Sequence, residues 1–177
     1  MKGLKTFLLL TFLCALGGCA KQPPVPETQA TGSPQTAEVK RVTSVGVVSA
    51  APQPVEVKAG GTAQLIVPLK IQSGYHVNAN PPTFAYLKAT QLEIAPSEGI
   101  SAAAISYPSP ATRKFAFAEK PLAVYEGETE IKATIKADNG ASKGAHSLVA
   151  HLRVQACDDQ VCYPPGQIEL QIPVTVK

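Results

Sequence analysis

The chain of 177 residues carries 16 lysines and arginines against 13 aspartates and glutamates, a formal net charge of +3. It has four cysteines and no tryptophan. No cluster of lysine or arginine stands out, so nucleic acid is not expected as a partner. The length is sufficient for one domain with a hydrophobic core.

Residues 1–18 are expected to be a signal peptide rather than part of the fold. Lys2 and Lys5 precede an apolar run, residues 7–16, that is too short for a permanent membrane span. Small residues then lead into Cys19, an arrangement that resembles the bacterial lipobox. We therefore expect cleavage before Cys19 and attachment of lipid to its sulfur. An ordinary secretory signal that ends near Cys19 is the alternative.

Residues 19–42 are expected to form the lipidated end and a disordered tether. The segment is rich in Pro, Thr, Gln and Ala, and it lacks the apolar side chains needed to offset the entropy of ordering. The expected location is the bacterial cell envelope, facing the periplasm, with a lipid bilayer as partner through Cys19. By the usual sorting rule for lipoproteins, an aspartate directly after the lipidated cysteine retains the protein in the inner membrane. This chain has Ala20 at that position, which favours the outer membrane.

Residues 43–177 are expected to form an all-β domain. Apolar and polar side chains alternate in the strongest strand candidates, residues 64–71, 130–137, 148–156 and 167–174. Weaker candidates are residues 55–58, 91–95, 102–107 and 122–125. Such alternation, with turn residues between the segments, is typical of antiparallel sheets packed as a sandwich. The last strand pair, residues 145–157 and 162–176, is expected to hold two cysteines at its tip.

The cysteine count indicates one disulfide. Cys14 lies in the expected signal peptide and Cys19 would carry lipid, which leaves Cys157 and Cys162 with four residues between them. In an oxidising compartment these two form a disulfide. A ring this short constrains the unfolded chain less than a long loop does, so it is expected to stabilise the domain only modestly. Most disulfides of exported domains are structural, and the small contribution of this ring to stability shifts the balance slightly toward a functional bond.

The charges next to the two cysteines differ. Asp158 and Asp159 follow Cys157 directly, and adjacent negative charge disfavours a thiolate there. Cys162 has no acidic neighbour in the sequence. It is therefore the better candidate for thiol exchange.

Other chemistries fit the sequence poorly. It has no haem-attachment motif and no nucleophile elbow, and zinc would need ligands from His76, His146 and His151. His146 and His151 are expected on the surface, and His76 in a loop where it could form a hydrogen bond. Neither a metal nor a cofactor is expected.

Four segments resemble the periplasmic N-terminal domain of DsbD-type thiol:disulfide interchange proteins. They are Gly-Tyr-His-Val-Asn-Ala-Asn-Pro-Pro at 74–82, Tyr-Pro at 107–108, Pro-Leu-Ala-Val-Tyr-Glu-Gly at 121–127, and the run from Cys157 to Pro165. The resemblance covers residues 42–177, and the cysteine segment with its Tyr-Pro-Pro ending is its most specific part. It implies an immunoglobulin-like antiparallel β-sandwich.

The resemblance also implies a function and a set of site residues. In the family, this domain takes electrons from a thioredoxin-like domain and passes them to disulfide isomerases and cytochrome-maturation thioredoxins. Cys157 and Cys162 would be the redox pair, with Cys162 forming the mixed disulfide. A cap loop, matched here by residues 109–119, would cover the disulfide with Phe115 or Phe117, although core packing is an equal alternative for either. Tyr163 would flank the site or pack beneath it.

The sequence departs from the family pattern in three ways. Four residues separate the cysteines where the best-known members have five, and the cap carries Arg113 and Lys114 where they have acidic residues. Full-length members continue into a membrane domain, whereas this sequence ends at Lys177. The electron donor is therefore expected to be a separate membrane protein.

The favoured hypothesis is an envelope module for thiol:disulfide exchange with thioredoxin-like or disulfide-isomerase partners. Whether it is an enzyme component, such as part of a protein-disulfide reductase, stays open. The alternative is a non-enzymatic lipoprotein domain for protein binding or assembly, with a structural disulfide. A small-ligand binder that uses Tyr75, Tyr86 and Tyr107 is a less favoured third class.

Overall fold

The computed structural model describes residues 41–177. The predicted signal peptide, Cys19 and all but the last two residues of the predicted tether lie outside this range. Residues 41–177 contain one short 3-10 helix, Ser44–Val47, and twelve strands. The strands are β1 (Val48–Ala50), β2 (Val55–Val57), β3 (Thr62–Ile71), β4 (His76–Asn78), β5 (Gln91–Ile94), β6 (Ile100–Ser106), β7 (Ala111–Arg113), β8 (Leu122–Tyr125), β9 (Glu128–Ala137), β10 (Gly144–Val154), β11 (Ala156–Cys157) and β12 (Gly166–Val176).

Two four-stranded sheets form the sandwich. One has the strand order β1-β3-β9-β6, and the other β2-β12-β10-β5. All neighbours are antiparallel except β2 and β12, which run parallel. The predicted all-β sandwich is confirmed. No helix within residues 41–177 has the length and apolar character needed to cross a membrane.

Alternation along the four long strands builds the core. Each strand turns every second side chain inward, as the sequence pattern predicted. Full burial of a large aliphatic side chain contributes about 1.5–3 kcal/mol. The largest wholly buried side chains include Leu65, Leu69, Leu92, Ile100, Ile131, Ile135, Leu148, Leu152 and Ile172.

The expected last strand pair is interrupted. β10 ends at Val154, opposite Gly166 at the start of β12. After Gln155 the chain enters β11, which pairs with β4 in a third sheet of order β11-β4-β8-β7. The prediction of one continuous strand from 145 to 157 was therefore wrong. His76, expected in a loop, is the first residue of strand β4.

The histidines on β10 are less exposed than expected. The His146 side chain is only 8% exposed, with Nδ1 2.6 Å from Glu98 Oε2 and Nε2 2.7 Å from the Ser142 carbonyl. His151 is half-buried, and its Nδ1 has no hydrogen-bond partner among residues 41–177. Since a carbonyl and a carboxylate can only accept, His146 donates from both ring nitrogens when it is protonated.

We expect His146 to make stability depend on pH. The hydrogen bond to Ser142 and then that to Glu98 raise the pKa of His146 above its usual 6.5. A raised pKa in the folded state adds stability that is complete below 6.5 and is lost as pH rises through the higher value. The free energy of unfolding in urea should therefore decrease as the pH rises above about 6.5.

The matched variants are His146→Asn, which should flatten this pH dependence, and His151→Gln, which should keep it. Equal pH dependence in wild type and His146→Asn would contradict the assignment.

Candidate functional site

The two faces of the third sheet have different surroundings. Val77 and Ala156, which are paired across β4 and β11, are wholly buried in the sandwich core. Because side chains alternate along a strand, the neighbouring pair, His76 and Cys157, lies on the opposite face. A second apolar cluster, Leu87, Phe115, Leu122 and Val124, sits beside that face.

The two cysteines are joined but unequally buried. A disulfide links Cys157 and Cys162. Cys157 is wholly buried, whereas Cys162 is half-buried. Only Cys162 lines a groove that opens to solvent. A reagent approaching from solvent therefore meets Cys162 before Cys157.

Asp158 holds the shape of the six-residue ring that the disulfide closes. Its backbone N–H donates to the Val161 carbonyl at 3.0 Å, and its Oδ1 accepts from the backbone N–H of Gln160 and of Val161, each at 2.8 Å. Its Oδ2 accepts from the Tyr163 hydroxyl at 2.6 Å. These donors, Tyr163 first, lower the pKa of Asp158, because they stabilise its ionised form. The acid beside Cys157 is thus a structural element of the loop.

Tyr163 is held between this loop and the core. Its hydrogen bond to Asp158 is the main reason why the pKa of Tyr163 is raised to about 12. Its ring packs against the core cluster, with its centroid 6.1 Å from that of Tyr75. Its backbone N–H donates to the Ala156 carbonyl at 2.8 Å. Tyr163 therefore braces the cysteine loop from its C-terminal side.

Two further polar side chains, which the sequence analysis missed, hold the ends of the loop. Ser44 is 1% exposed; its hydroxyl accepts from the Ala156 N–H at 3.0 Å and donates to the Pro164 carbonyl at 2.7 Å. Gln155 Oε1 accepts from the Asn78 side chain at 3.0 Å and from the Lys88 backbone at 2.8 Å. Serine and glutamine carry no sequence signal for such long-range contacts.

The two phenylalanines proposed as lid residues occupy different places. Phe115 is 8% exposed, and its ring stacks on His76 with centroids 4.1 Å apart. Phe117 is 40% exposed, with its centroid 5.4 Å from that of Phe115. Phe117 lines a groove of about 310 Å³ together with Tyr86, Val161 and Cys162. Phe115 thus lies against His76, and Phe117 lies in the groove beside Cys162.

A second, charged cleft of about 810 Å³ lies on the Phe115 side. Arg113 forms an ion pair there with Glu126, with Nε 3.0 Å from Oε1. This pairing raises the pKa of Arg113 and lowers that of Glu126. Exposed Lys114 also lines the cleft. The basic character of the cap is therefore partly neutralised within the fold.

His76 is the cross-strand partner of Cys157. It is 4% exposed, and its Nε2 has no hydrogen-bond partner among residues 41–177. Burial lowers the pKa of His76, opposed by the charges of Asp159, Glu126 and Asp158. A three-residue strand such as β4 is too short to show alternation, so the sequence pattern predicts a loop at this position.

The three tyrosines of the small-ligand hypothesis do not share a cavity. Tyr75 lines the charged cleft, and Tyr86 lines the groove beside Cys162. The Tyr107 hydroxyl accepts from the Leu92 backbone N–H at 3.0 Å. Within residues 41–177, no group of three or more His, Cys, Asp or Glu side chains is arranged to hold a metal ion.

A sandwich that carries a disulfide with one accessible sulfur in a groove lined by aromatic side chains has the features of a thiol:disulfide exchange domain. Residues 45–172 match the family described as thiol:disulfide interchange protein DsbD, N-terminal. This match spans well over half of the chain, and the chain belongs to that family. The resemblance seen in the sequence is thereby confirmed, and the domain is of a type found in the periplasm of the bacterial envelope.

Solved structures with a similar fold are remote in sequence. The N-terminal periplasmic domain of ScsB from Proteus mirabilis is 16% identical, with a TM-score of 0.49 over 71% of this chain and 44% of that chain. This chain thus spans less than half the length of the ScsB chain. AggA, the major subunit of aggregative adherence fimbriae type I from Escherichia coli, is 12% identical, with a TM-score of 0.33 over 73% of this chain and 94% of that chain.

The PapD-like domain of human CEP192 is 10% identical, with a TM-score of 0.34 over 87% of this chain and 98% of that chain. Likenesses this distant add nothing to the functional assignment. No curated protein matches the sequence.

We expect Ser44→Ala to destabilise the domain by about 1–3 kcal/mol, because it leaves the Ala156 N–H and the Pro164 carbonyl without their partner. Urea unfolding gives the measurement. Thr43→Ala is the matched control: Thr43 accepts only an exposed hydrogen bond from Gly46, and its loss should have a smaller effect. Equal effects of the two substitutions would show that Ser44 does not clamp the loop.

Proposed function

We propose that this domain passes electrons between thioredoxin-like proteins of the cell envelope through the Cys157–Cys162 disulfide. The observation that carries the proposal is the unequal exposure of the two sulfurs: Cys162 lines an open groove, and Cys157 is wholly buried. Cys162 is then the attacked sulfur, and Cys157 is the resolving one.

The reaction is a pair of thiol:disulfide exchanges. A partner thiolate attacks Cys162 Sγ, the Cys157–Cys162 bond breaks, and its electron pair goes to Cys157. A second thiolate of the partner then attacks the mixed disulfide and leaves Cys162 reduced. In the reverse direction, the reduced domain donates two electrons to the disulfide of the next protein. The cysteine pair alternates between these two states.

The groove beside Cys162 supports docking of a protein rather than a small thiol. Three of the six large hydrophobic side chains that residues 41–177 leave exposed line it: Tyr86, Phe117 and Val161. Exposed apolar groups gathered at one place are typical of protein contact surfaces. Aromatic side chains at such a surface supply much of the binding energy.

The cellular setting extends the same proposal. Lipid on Cys19 would anchor the chain to a membrane, with residues 20–42 as tether and the sandwich facing the periplasm. Ala20 favours the outer membrane. The electron donor would be a separate membrane protein, and the acceptors would be thioredoxin-like or disulfide-isomerase proteins.

A second candidate is an assembly or binding domain whose disulfide is structural. The observation in its favour is the number of hydrogen bonds that hold the cysteine loop, at Ser44, Asp158 and Tyr163. The complete burial of Cys157 also suits an inert bond. The two candidates differ in whether the disulfide exchanges with other proteins.

The cysteine variants test the choice between them. In Cys157→Ala the resolving sulfur is absent, so Cys162 should accumulate as a mixed disulfide with its partner. Non-reducing gels of envelope extracts should show this adduct, and they should lack it in Cys162→Ala. Absence of an adduct in both variants, together with a reduction potential below about −300 mV, would establish a structural disulfide.

Phe117→Ala should expose the disulfide to small thiols. Removing the ring opens the groove at Cys162, so we expect reduction by dithiothreitol to speed up by roughly three- to tenfold, since exchange rates depend on access to the sulfur. Val149→Ala removes a hydrophobic side chain of similar exposure from β10 and should leave the rate unchanged. A rate for Phe117→Ala equal to that of wild type would show that Phe117 is not a lid.

A further inference from the structure

His76 and Cys157 are direct cross-strand neighbours. They are paired between β4 and β11, and both are buried on the face away from the sandwich core. Side chains opposite one another in an antiparallel pair have Cβ atoms about 4.5–5.5 Å apart. Side chains of such direct cross-strand neighbours interact with each other. The fold thus places a titratable ring beside the sulfur that solvent cannot reach.

The ring of His76 is held in place, yet part of its hydrogen-bonding capacity is unused. Phe115 stacks on it at 4.1 Å with an interplanar angle of 18°. Nε2 is buried and has no partner among residues 41–177. A buried polar atom without a partner costs about 1–3 kcal/mol, and a redox or catalytic role is one explanation for such an atom.

We propose that His76 is the general base that takes the proton of Cys157 when the reduced domain reforms its disulfide on releasing a partner. This inference rests on the proposed exchange function. It assigns to His76 the removal of the proton from Cys157 that the resolving step needs.

The resolving step needs a base because of where Cys157 lies. Its thiol is wholly buried, so bulk water cannot take the proton directly. Asp158 and Asp159 next to it disfavour a bare thiolate. With the proton on His76, the sulfur attacks Cys162, a new Cys157–Cys162 bond forms, and the bond from Cys162 to the partner breaks. The partner sulfur leaves as a thiolate. Over the two exchanges, the partner disulfide gains two electrons and the domain loses two.

The charges around His76 suit a base of this kind. Burial lowers its pKa, which keeps the ring neutral and able to accept a proton near neutral pH. Once it is protonated, the carboxylates of Asp158, Asp159 and Glu126 stabilise the cation. The charged side chains that line its cleft are Lys70, Arg113, Lys114, Glu126, Glu128 and Asp159, with Arg113 paired to Glu126 and Lys70 to Glu128.

The two thiol reactions can be resolved with 5,5′-dithiobis(2-nitrobenzoic acid) on the reduced full chain, with Cys14 and Cys19 replaced by serine. Attack by Cys162 releases the first thionitrobenzoate at a rate proportional to reagent concentration. Attack by Cys157 on the mixed disulfide releases the second thionitrobenzoate at a rate that does not depend on reagent concentration. We expect His76→Gln and His76→Phe to slow the second release by roughly ten- to a hundredfold at neutral pH. The first release should change by less than about twofold.

The pH profile separates proton transfer from a structural role. In wild type the second release should rise through the His76 titration, whereas in both variants it should rise only at alkaline pH, where the thiol ionises unaided. His76→Phe keeps the stack on Phe115, and His151→Gln is the control for loss of a half-buried histidine elsewhere. An unchanged second release and pH profile in both His76 variants would overturn the inference. The assay needs no natural partner, so its outcome is independent of the envelope experiment. The role of His76 can be contradicted while Cys157→Ala still forms its envelope adduct, and the adduct can be absent while His76 still acts as a base.

Discussion

The two-residue pairing of β11 with β4 determines what the disulfide can do. If β10 simply continued beyond Val154 beside β12, both cysteines would lie at a solvent-exposed hairpin end. Instead, Ala156 enters the sandwich core, and Cys157 turns to the opposite face of a separate small sheet. Alternation along a strand then buries one sulfur completely and leaves the other in the returning loop. The asymmetry of the pair is therefore a consequence of strand register.

The cysteine loop is held in place largely without its disulfide. Ser44 ties the Ala156 N–H to the Pro164 carbonyl, Asp158 accepts three hydrogen bonds within the loop, and Tyr163 bonds to the Ala156 carbonyl. Each such bond contributes about 0.5–1.5 kcal/mol net, while a six-residue ring restricts the unfolded chain only slightly. The loop can thus keep its shape when the bond between Cys157 and Cys162 is broken. A redox pair needs this property, because both oxidation states must present Cys162 in the same groove.

The sequence allowed the sandwich to be predicted but only part of the site. One face of each long strand is buried along its whole length. Apolar residues therefore recur at every second position, as in residues 65–71 and 148–154. Strands β4, β7 and β11 are too short to show any period, and their pairing is fixed by contacts with distant residues. For the same reason the sequence could not place His76 or distinguish Phe115 from Phe117. The cysteine pair itself could be predicted, because only one pairing was possible.

The stacked pair of Phe115 and Phe117 separates two openings with different chemistry. On the Phe117 side lies the groove that contains Cys162, rimmed by apolar side chains. On the Phe115 side lies the charged cleft that contains His76. A protein docked in the groove would exclude water from Cys162 at the moment when the exchange must still gain or lose a proton. A proton that moves through His76 to the charged cleft would leave on the other side of the aromatic pair. Electrons and protons would then use different openings, and a docked partner would not block the proton transfer on which its own release depends.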